Sequence, residues 1–290
     1  MRRLLAACLC LCLGPGLLVA PAPVRAQTPA APKPHVISPR LAPPQAMSRD
    51  AVTLRQFVKG TLRFVILHEL GHGLIDVYEL PVLGREEDAA DRFAIFWLSP
   101  DGAGEDGLDA IGAMEWWLAS ARLSSASRQQ LPWWGEHGID EQRGFQIACL
   151  LYGAAPDDFG PLAGRVGIPE ARRQGCQVEA YKNQRAWAGL LRPRVSRLKN
   201  LDGFLTPTSF ETPTEDNELA GRIIGEMKVL EEVQQIISQF ASTDASRTIT
   251  IRARNCGVSN AFWNPARDEL TLCYELVNEI AQVGWAAGFR

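Results

Sequence analysis

The spacing of hydrophobic positions changes along the chain and predicts a long helical part followed by a short strand-containing part. Apolar residues recur three and four positions apart from Phe57 to Leu74, which predicts a first helix from Ser48 to about Tyr78. Asp140 is the expected N-cap of a later helix. The same period predicts helices at 85–98, 108–123, 140–152, 169–174, 178–188 and 218–240.

After residue 240 the period of the apolar residues falls to two. Alternation predicts strands at 248–253 and 269–274, with an extended segment at 260–263 between them. The proline-containing segment 193–216 predicts an irregular boundary between the two parts. The expected fold class is therefore α+β and mainly α, in one domain over 51–290. Its helical part covers about 51–192, and its α+β part, with a small C-terminal sheet, covers about 215–290.

The first 50 residues are expected to lie outside this domain. Arg2 and Arg3, the apolar run that follows and the small residues before Gln27 are typical of a secretory signal peptide at 1–26. Residues 27–50 are rich in proline and alanine, which predicts an extended, disordered tether. The signal peptide predicts export to the periplasm or the extracellular medium. A lipid anchor at Cys8 is the alternative.

Charge and apolarity narrow the class of partner. The chain has 290 residues and a formal net charge of -3, with no long run of like charges. A nucleic-acid-binding surface would need a basic patch, so nucleic acid is not an expected partner. The apolar run of the signal is too short to span a bilayer, and no other segment predicts a membrane span. None of these properties predicts an oligomeric state.

Export places the cysteines that follow the signal in an oxidising compartment. Four such cysteines remain, and an even number predicts two disulfides. Three pairings are possible, and the local one is preferred because it closes two short loops. It joins Cys149 to Cys176 and Cys256 to Cys273. Four buried thiols are the alternative, and a cysteine-rich zinc site is disfavoured because no C-x-x-C spacing occurs.

The first predicted helix carries residues suited to a metal centre. In His68-Glu69-Leu70-Gly71-His72 the histidines are four residues apart, so both imidazoles project from one helix face. Such a pair can bind one Zn²⁺ ion while Glu69 acts as general base on a zinc-bound water. Unrelated proteins carry this pattern by chance, so the motif needs a third ligand before it predicts an enzyme.

The next predicted helix offers that third ligand. It follows a short turn and can fold back beside the first helix, bringing its acidic first turn near the histidines. Glu87 and Asp91 are four residues apart and share a face. We expect Glu87 to bind the metal and Asp91 to accept the outer N–H of a ligating histidine. Glu86 and Asp91 are the alternative ligands, and the simplest other interpretation is an acidic turn that favours the helix dipole.

Other residues could take part in a site, although each also has a structural explanation. His137 could donate to a reaction oxyanion or line the cleft, but a lone loop histidine is more often structural. The tryptophan pairs 116–117 and 133–134 could form an apolar substrate pocket, but such aromatics are more often core. Tyr274 or Glu275 could face the cleft, and strand alternation allows only one of them to do so.

The motif residues resemble those of the thermolysin-like zincins, in which H-E-x-x-H is followed on a later helix by a ligating glutamate with an aspartate four residues on. The residues that match in turn are His68, Glu69, His72, Glu87 and Asp91. Only 14 residues separate His72 from Glu87, which departs from thermolysin, and nothing else aligns with it. More of the chain is similar to a family of bacterial proteins classed as metallopeptidases of undetermined substrate, over 68–93, 143–153, 162–187 and 260–276.

These resemblances imply a zincin-like helical core, Zn²⁺ as the cofactor and a peptide or protein as the substrate. In addition, Asn260-Ala261-Phe262-Trp263 is similar to an edge strand of neprilysin-like peptidases that binds the substrate backbone by strand addition. There the strand precedes the zinc helix, whereas here it follows it by about 190 residues. The resemblance implies that Asn260 lies at the cleft. A structural hairpin held by a disulfide is the alternative.

The sequence therefore predicts a secreted zinc peptidase that hydrolyses peptide bonds with a water activated by Glu69. One alternative is a secreted binding or scaffolding protein whose metal site is structural or catalytically silent. Another is a zinc hydrolase of non-peptide amides. The presence of Glu69 favours catalysis, because loss of the general base is the simplest way to lose activity.

Overall fold

One long helix, α1 (Leu54–Val77), lies at the centre of the fold. The computed structural model describes residues 52–99, 105–124, 134–194, 206–240 and 247–290, all of which belong to one compact unit. Most residues of α1 are buried, because other helices and the sheet pack around it. Thr53 caps the helix, since its side chain accepts the N–H of Gln56 and the Gln56 side chain accepts the N–H of Thr53. The predicted start, Ser48, lies outside the described residues, as do the predicted signal peptide and tether.

The remaining helices of the described residues build layers on α1. Four of them, α2, α3, α8 and α9, pack directly against it, α4 packs on α3, and α6 packs on α4. A disulfide between Cys149 and Cys176 joins α4 to α6. No helix in this part of the chain combines the length and apolarity needed to cross a bilayer. The helices are α2 (Glu86–Leu98), α3 (Glu105–Ser124), α4 (Asp140–Ala154), α5 (Pro156–Arg165), α6 (Glu170–Leu191), α7 (Glu218–Met227), α8 (Val229–Ser238) and α9 (Tyr274–Ala286).

A four-stranded sheet lies in the C-terminal part. Its strands are β1 (Thr208–Phe210), β2 (Thr250–Arg254), β3 (Ala261–Asn264) and β4 (Glu269–Cys273), in the order β1-β2-β4-β3. β1, β2 and β4 are parallel neighbours, and β3 pairs with β4 antiparallel. A second disulfide joins Cys256, in the loop after β2, to Cys273 at the end of β4. The predicted class, α+β and mainly α with a small C-terminal sheet, is confirmed.

Several predicted helix boundaries were wrong. Asp140 is the first residue of α4, and Ile139, whose side chain cannot accept a hydrogen bond, occupies the cap position. The segments 169–174 and 178–188 are one helix, α6, because Gly175 is tolerated inside it. The predicted helix at 218–240 is divided at Lys228, which has a φ of 53° and ends α7. A lysine rarely adopts this left-handed conformation, so the presence of Lys228 does not predict the break in the helix.

Two helices were not predicted. α5 begins with Pro156 and contains Pro161, a residue that normally argues against a helix. α9 begins at Tyr274, immediately after β4, and no side chain caps its first turn. The predicted strand at 269–274 therefore ends one residue early, at Cys273. The segment 193–216, predicted to be irregular, contains β1, while its residues 195–205 lie outside the described part.

Candidate metal centre

The motif histidines lie where α1 and α2 cross at close range. A Cβ atom on Gly71 would be 3.1 Å from the Cα atom of Ala90, so the two backbones nearly touch there. Gly71 lies between the two histidines of the motif, and Ala90 lies between Glu87 and Asp91. Because side chains one helical turn apart share a face, the crossing places the two acids opposite the two imidazoles.

A carboxylate holds the outer nitrogen of each imidazole. Asp91 Oδ1 lies 2.8 Å from His68 Nδ1, and Glu86 Oε1 lies 2.7 Å from His72 Nδ1. Asp91 therefore has the partner predicted for it. Glu86, which the sequence offered only as an alternative ligand, is instead the partner of the second histidine. A neutral imidazole that donates its Nδ1–H to a carboxylate carries its lone pair on Nε2.

The inner nitrogens converge with Glu87 on one point. His68 Nε2 lies 3.2 Å from His72 Nε2, and Glu87 Oε2 lies 3.1 Å and 3.5 Å from these two atoms. Donor atoms at 2.0–2.1 Å from a tetrahedral Zn²⁺ ion are about 3.3 Å apart, so the three separations fit this ion. Lone pairs that face one another at such distances repel unless a cation lies between them. The donor set of two imidazoles and one carboxylate therefore fits zinc.

The electrostatics of the donor set agree with a cation site. Burial disfavours the charged form of His68, but contacts with Asp91 and Glu87 outweigh burial and raise the pKa of His68 to about 9. The pKa of His72 is also raised against the effect of burial, because carboxylates surround its ring. Burial alone would raise the pKa of Glu87, but the neighbouring imidazoles lower it. Shifts in these directions indicate a negative electrostatic potential at the site, where protons and a metal ion compete for the same donor atoms.

Glu69 lies beside the donor set with its carboxylate fixed in place. The residue is 9% exposed, and its Oε2 accepts the backbone N–H of Trp263 at 2.9 Å. Burial raises the pKa of Glu69, while the neighbouring imidazoles and this hydrogen bond oppose the rise. A carboxylate with a raised pKa is a stronger base than an exposed one. The position suits an acid–base group that serves the donor set.

Arg143 supports the candidate centre through Asp91, a role that was not predicted from the sequence. Its Nε donates to Asp91 Oδ2 at 2.8 Å and its Nη2 to Asp91 Oδ1 at 2.5 Å, while its guanidinium lies 3.6 Å from the ring centroid of Trp117. Asp91 is thereby held between Arg143 and His68, which keep its pKa low although burial opposes this. One signal was available: Arg143 lies on the face of its helix that Ile147 and Leu150 mark as buried.

The donor set opens onto a cleft of about 830 Å³. His137 lies at the cleft with its side chain 55% exposed, and its Nε2 is 2.8 Å from Glu87 Oε2. Asn260 also lines the cleft, as the resemblance implied. Trp116 and Trp117 are largely buried in the core yet line the cleft as well. Of the other tryptophan pair, Trp134 is 85% exposed, and its neighbour lies outside the described residues.

Strand β3 forms one wall of this cleft with its free edge. Cys273 N–H donates to Asn260 O, so the alternating ladder turns the backbone groups of Ala261 and Trp263 away from β4. The Trp263 ring packs on Gly73, where a Cβ would lie 3.1 Å from a ring atom. Its indole N–H donates to Asp76 Oδ2 at 3.1 Å. These contacts fix the edge strand along α1.

Tyr274, predicted at the cleft, lies elsewhere. Its side chain is buried, and its hydroxyl donates to the carbonyl oxygen of Glu211 at 2.7 Å. The alternative, Glu275, accepts the backbone N–H groups of Cys256 and Gly257 and does not line the cleft either. The prediction failed because the chain is already helical at Tyr274, so strand alternation no longer sets the side-chain directions.

The described residues contain a second group of possible ligand atoms, formed by Cys256, Cys273 and Glu275. Its two sulfur atoms are joined in a disulfide, which leaves no thiolate to bind a metal. Among the described residues, the site formed by His68, His72 and Glu87 is therefore the one whose donor set is free for a metal ion.

The fold and site together define a helical protein with a candidate metal centre and a buried carboxylate beside it. A family model described as "Putative metallopeptidase" matches residues 44–191 and 210–289, and the chain belongs to this family. Searches of curated proteins and of solved structures found no match. The family supports a peptidase-type function and a metal cofactor.

Proposed function

We propose that the protein is an exported zinc-dependent peptidase whose ion is held by His68, His72 and Glu87. The observation that carries the proposal is the convergence of three donor atoms, 3.1 to 3.5 Å apart, beside the buried carboxylate of Glu69. When bound, zinc supplies Lewis acidity, which polarises a carbonyl group and lowers the pKa of water towards about 7. The protein residues supply the proton transfers and the alignment of the substrate.

Glu69 is the proposed general base. It takes a proton from the attacking water and later passes that proton to the departing amine. The N–H of Trp263 holds one carboxylate oxygen, which leaves the other free for the proton. Asp91 and Glu86 fix the imidazoles through their outer nitrogens, and Arg143 fixes Asp91 in turn.

His137 is the proposed donor to the oxyanion that develops on the substrate carbonyl. Its imidazole lies next to Glu87 and is half exposed to the cleft, so a bound substrate can reach it. A donor placed where negative charge develops stabilises the transition state without reorganisation. The contact of His137 with Glu87 supports the oxyanion role that the sequence offered beside a structural one.

The free edge of β3 favours a peptide over a non-peptide amide as the substrate. An extended peptide can pair with the outward N–H and C=O groups of Ala261, and Asn260 lies beside them at the cleft. Main-chain pairing of this kind recognises a polypeptide backbone and offers nothing comparable to a small amide. The proposed substrate is therefore an extended segment of a peptide or protein.

Two further features support export and catalysis. Two disulfides are typical of proteins that fold in an oxidising compartment, which agrees with the proposed signal peptide at 1–26. Structural zinc sites are usually closed by four protein ligands, whereas the group found among the described residues offers three and opens onto a cleft. This openness favours an enzyme over a binding protein with a structural ion.

Metal analysis and hydrolysis assays on the parent and a Glu69→Gln variant test the proposal. We expect roughly one zinc ion per chain in both proteins, because Glu69 is not a ligand, and hydrolysis of unfolded casein only by the parent. A Glu226→Gln variant is the matched control, since Glu226 lies on the surface helix α7 and pairs with Arg55 at 3.6 Å. Equal hydrolysis by the parent and Glu69→Gln would exclude Glu69 as the base. A zinc-loaded parent without hydrolysis would favour the binding protein.

A further inference from the structure

Two carboxylates in the cleft have no partner among the described residues that accounts for their charge. The other charged groups of the cleft are engaged with the imidazoles, with the N–H of Trp263, with Asp91 or with Asp88. Glu136 and Glu279 also line the cleft, and both are exposed. Neither forms a hydrogen bond or ion pair with any other described residue. The cleft therefore presents uncompensated negative charge to a substrate.

Glu279 lies on α9, which lines the cleft together with α1. Gly284 packs against Leu54 and Phe57, so the end of α9 lies beside the start of α1. The first turns of α9 share the cleft with Val65, which lies one turn before Glu69 on the same face. Leu276 and Glu279 are one turn apart on α9, and both line the cleft.

Apolar side chains share the cleft with Glu69 and Glu279. Val65, Trp116 and Leu276 line it, and each is less than one-tenth exposed. The cleft therefore offers a long side chain aliphatic and aromatic atoms as well as the carboxylate of Glu279. Arg143 also borders the cleft, but its guanidinium is bound to Asp91 by two hydrogen bonds, which offsets its charge.

We propose that the cleft selects peptides with a lysine or arginine side chain next to the scissile bond, and that Glu279 determines this specificity. The proposal rests on the proposed peptidase function of the same site. The aliphatic stem of a basic side chain covers Val65 and Leu276, and its charge lies near the ring of Trp116 and the carboxylate of Glu279. An acidic side chain at this position is rejected by the uncompensated charge.

Two peptide series measure this selectivity. Peptides that differ only in carrying lysine, norleucine or glutamate at one position are compared for kcat/KM on the parent and for Kd on Glu69→Gln, which binds without turnover. Lysine should exceed norleucine roughly fivefold at a single position, the size expected for one solvent-exposed ion pair. Glu279→Gln should abolish this ratio, and Glu279→Lys should invert it. Glu226→Gln, far along the chain on α7, should leave it unchanged.

Measuring binding and hydrolysis separately distinguishes the proposed specificity from the proposed peptidase function on which it rests. Selective binding with no hydrolysis of any peptide would contradict the peptidase function and support the role of Glu279. Hydrolysis with equal rates for lysine and norleucine would overturn the specificity and leave the peptidase intact. A lysine preference that persists in Glu279→Gln would also overturn it. The ratio should shrink in 1 M salt, since salt screens exposed charges.

Discussion

The two walls of the cleft come from different parts of the chain and hold their groups in different ways. The α1–α2 wall takes the proposed metal ligands and the proposed base from residues 68–91, and the ligand side chains contact neighbouring carboxylates of the same wall. The opposite wall is formed by β3 and α9, about 190 residues later, and offers backbone groups and the free carboxylate of Glu279. The difference teaches that the proposed metal ligands and the proposed peptide-binding edge are held by separate contacts, while Glu69 joins the two walls through the N–H of Trp263.

The supports of the two walls also differ. Around the metal centre, Asp91 and Arg143 form a buried ionic network with the first histidine. The wall formed by β3 and α9 is held by the disulfide Cys256–Cys273 and by Glu275. Changes to the first wall should therefore alter metal binding, whereas changes to the second should alter stability and peptide affinity.

The largest effect is expected for Glu87→Ala. This variant removes the one carboxylate among the three proposed ligands, so zinc affinity should fall by more than the 10–100-fold that is typical for loss of an outer-shell partner. Glu86→Ala removes only the partner of His72 Nδ1 and should lose about 10–100-fold. Competition with a chromophoric chelator measures both. Parental affinity in Glu87→Ala would assign the third ligand to Glu86 or Asp91.

The second-largest effect is expected for loss of the disulfide in the wall formed by β3 and α9. The double variant Cys256→Ala/Cys273→Ala opens a loop with a sequence separation of 17 residues and should lose about 3 kcal/mol in free energy of unfolding. Peptide affinity should fall as well, because the loop leads into β3, while zinc content stays at the parental level. Denaturant titration, calorimetry and metal analysis provide the three measurements.

The disulfide between α4 and α6 is the matched control. Cys149→Ala/Cys176→Ala opens a separation of 27 residues and should cost about 3 kcal/mol as well. That disulfide joins α4 to α6 and has no contact with β3, so peptide affinity should not change. Equal losses of peptide affinity in the two double variants would show that the walls are not separately supported.

The first wall could be predicted from the sequence because its chemistry is local. The spacing of His68, Glu69 and His72 on one helix, and of Glu87 and Asp91 on the next, determines which side chains share a face. The structure places Glu87 and Asp91 opposite the motif, as expected. The contact of Glu86 with His72 was not predicted, because the choice among neighbouring acids depends on the rotation of α2 about its axis, which the crossing at Gly71 sets.

The second wall could not be predicted in the same way. β3 reaches the site through sheet pairing with β4 and through the packing of Trp263 on α1, which are contacts between residues far apart in sequence. α9 has no capping side chain, its first residue was predicted to end a strand and the rest was assigned no element, so Leu276 and Glu279 were missed. Arg143 was missed because its partner, Asp91, lies on another helix. Only the resemblance of the Asn260 segment indicated that this region reaches the cleft.

The smallest effect is expected for the contribution of Glu275 to the pH dependence of the free energy of unfolding. Burial alone would raise the pKa of this carboxyl, but backbone N–H groups, including those of Gly257 and Cys256, lower it in the folded protein. A lowered folded pKa stabilises the fold above the unfolded pKa of about 4.3, and this stabilisation is lost as the pH falls through the folded value. The gain should stay below about 1 kcal/mol, because solvent screens the group.

Glu275→Gln keeps an acceptor oxygen but removes the charge, so it isolates this effect. The parent should be more stable than the variant at about pH 6, and the difference should shrink as the pH falls below the unfolded pKa and through the lowered folded pKa of the carboxyl. Urea titrations at several pH values measure it, with Glu226→Gln as the control for a surface glutamate. A constant difference across the pH range would mean that the geometry of the carboxyl, and not its charge, holds the loop. Because Glu275 belongs to the wall of β3 and α9, zinc affinity at neutral pH should be the same in both proteins, and a loss there would show that the loop supports the metal centre as well.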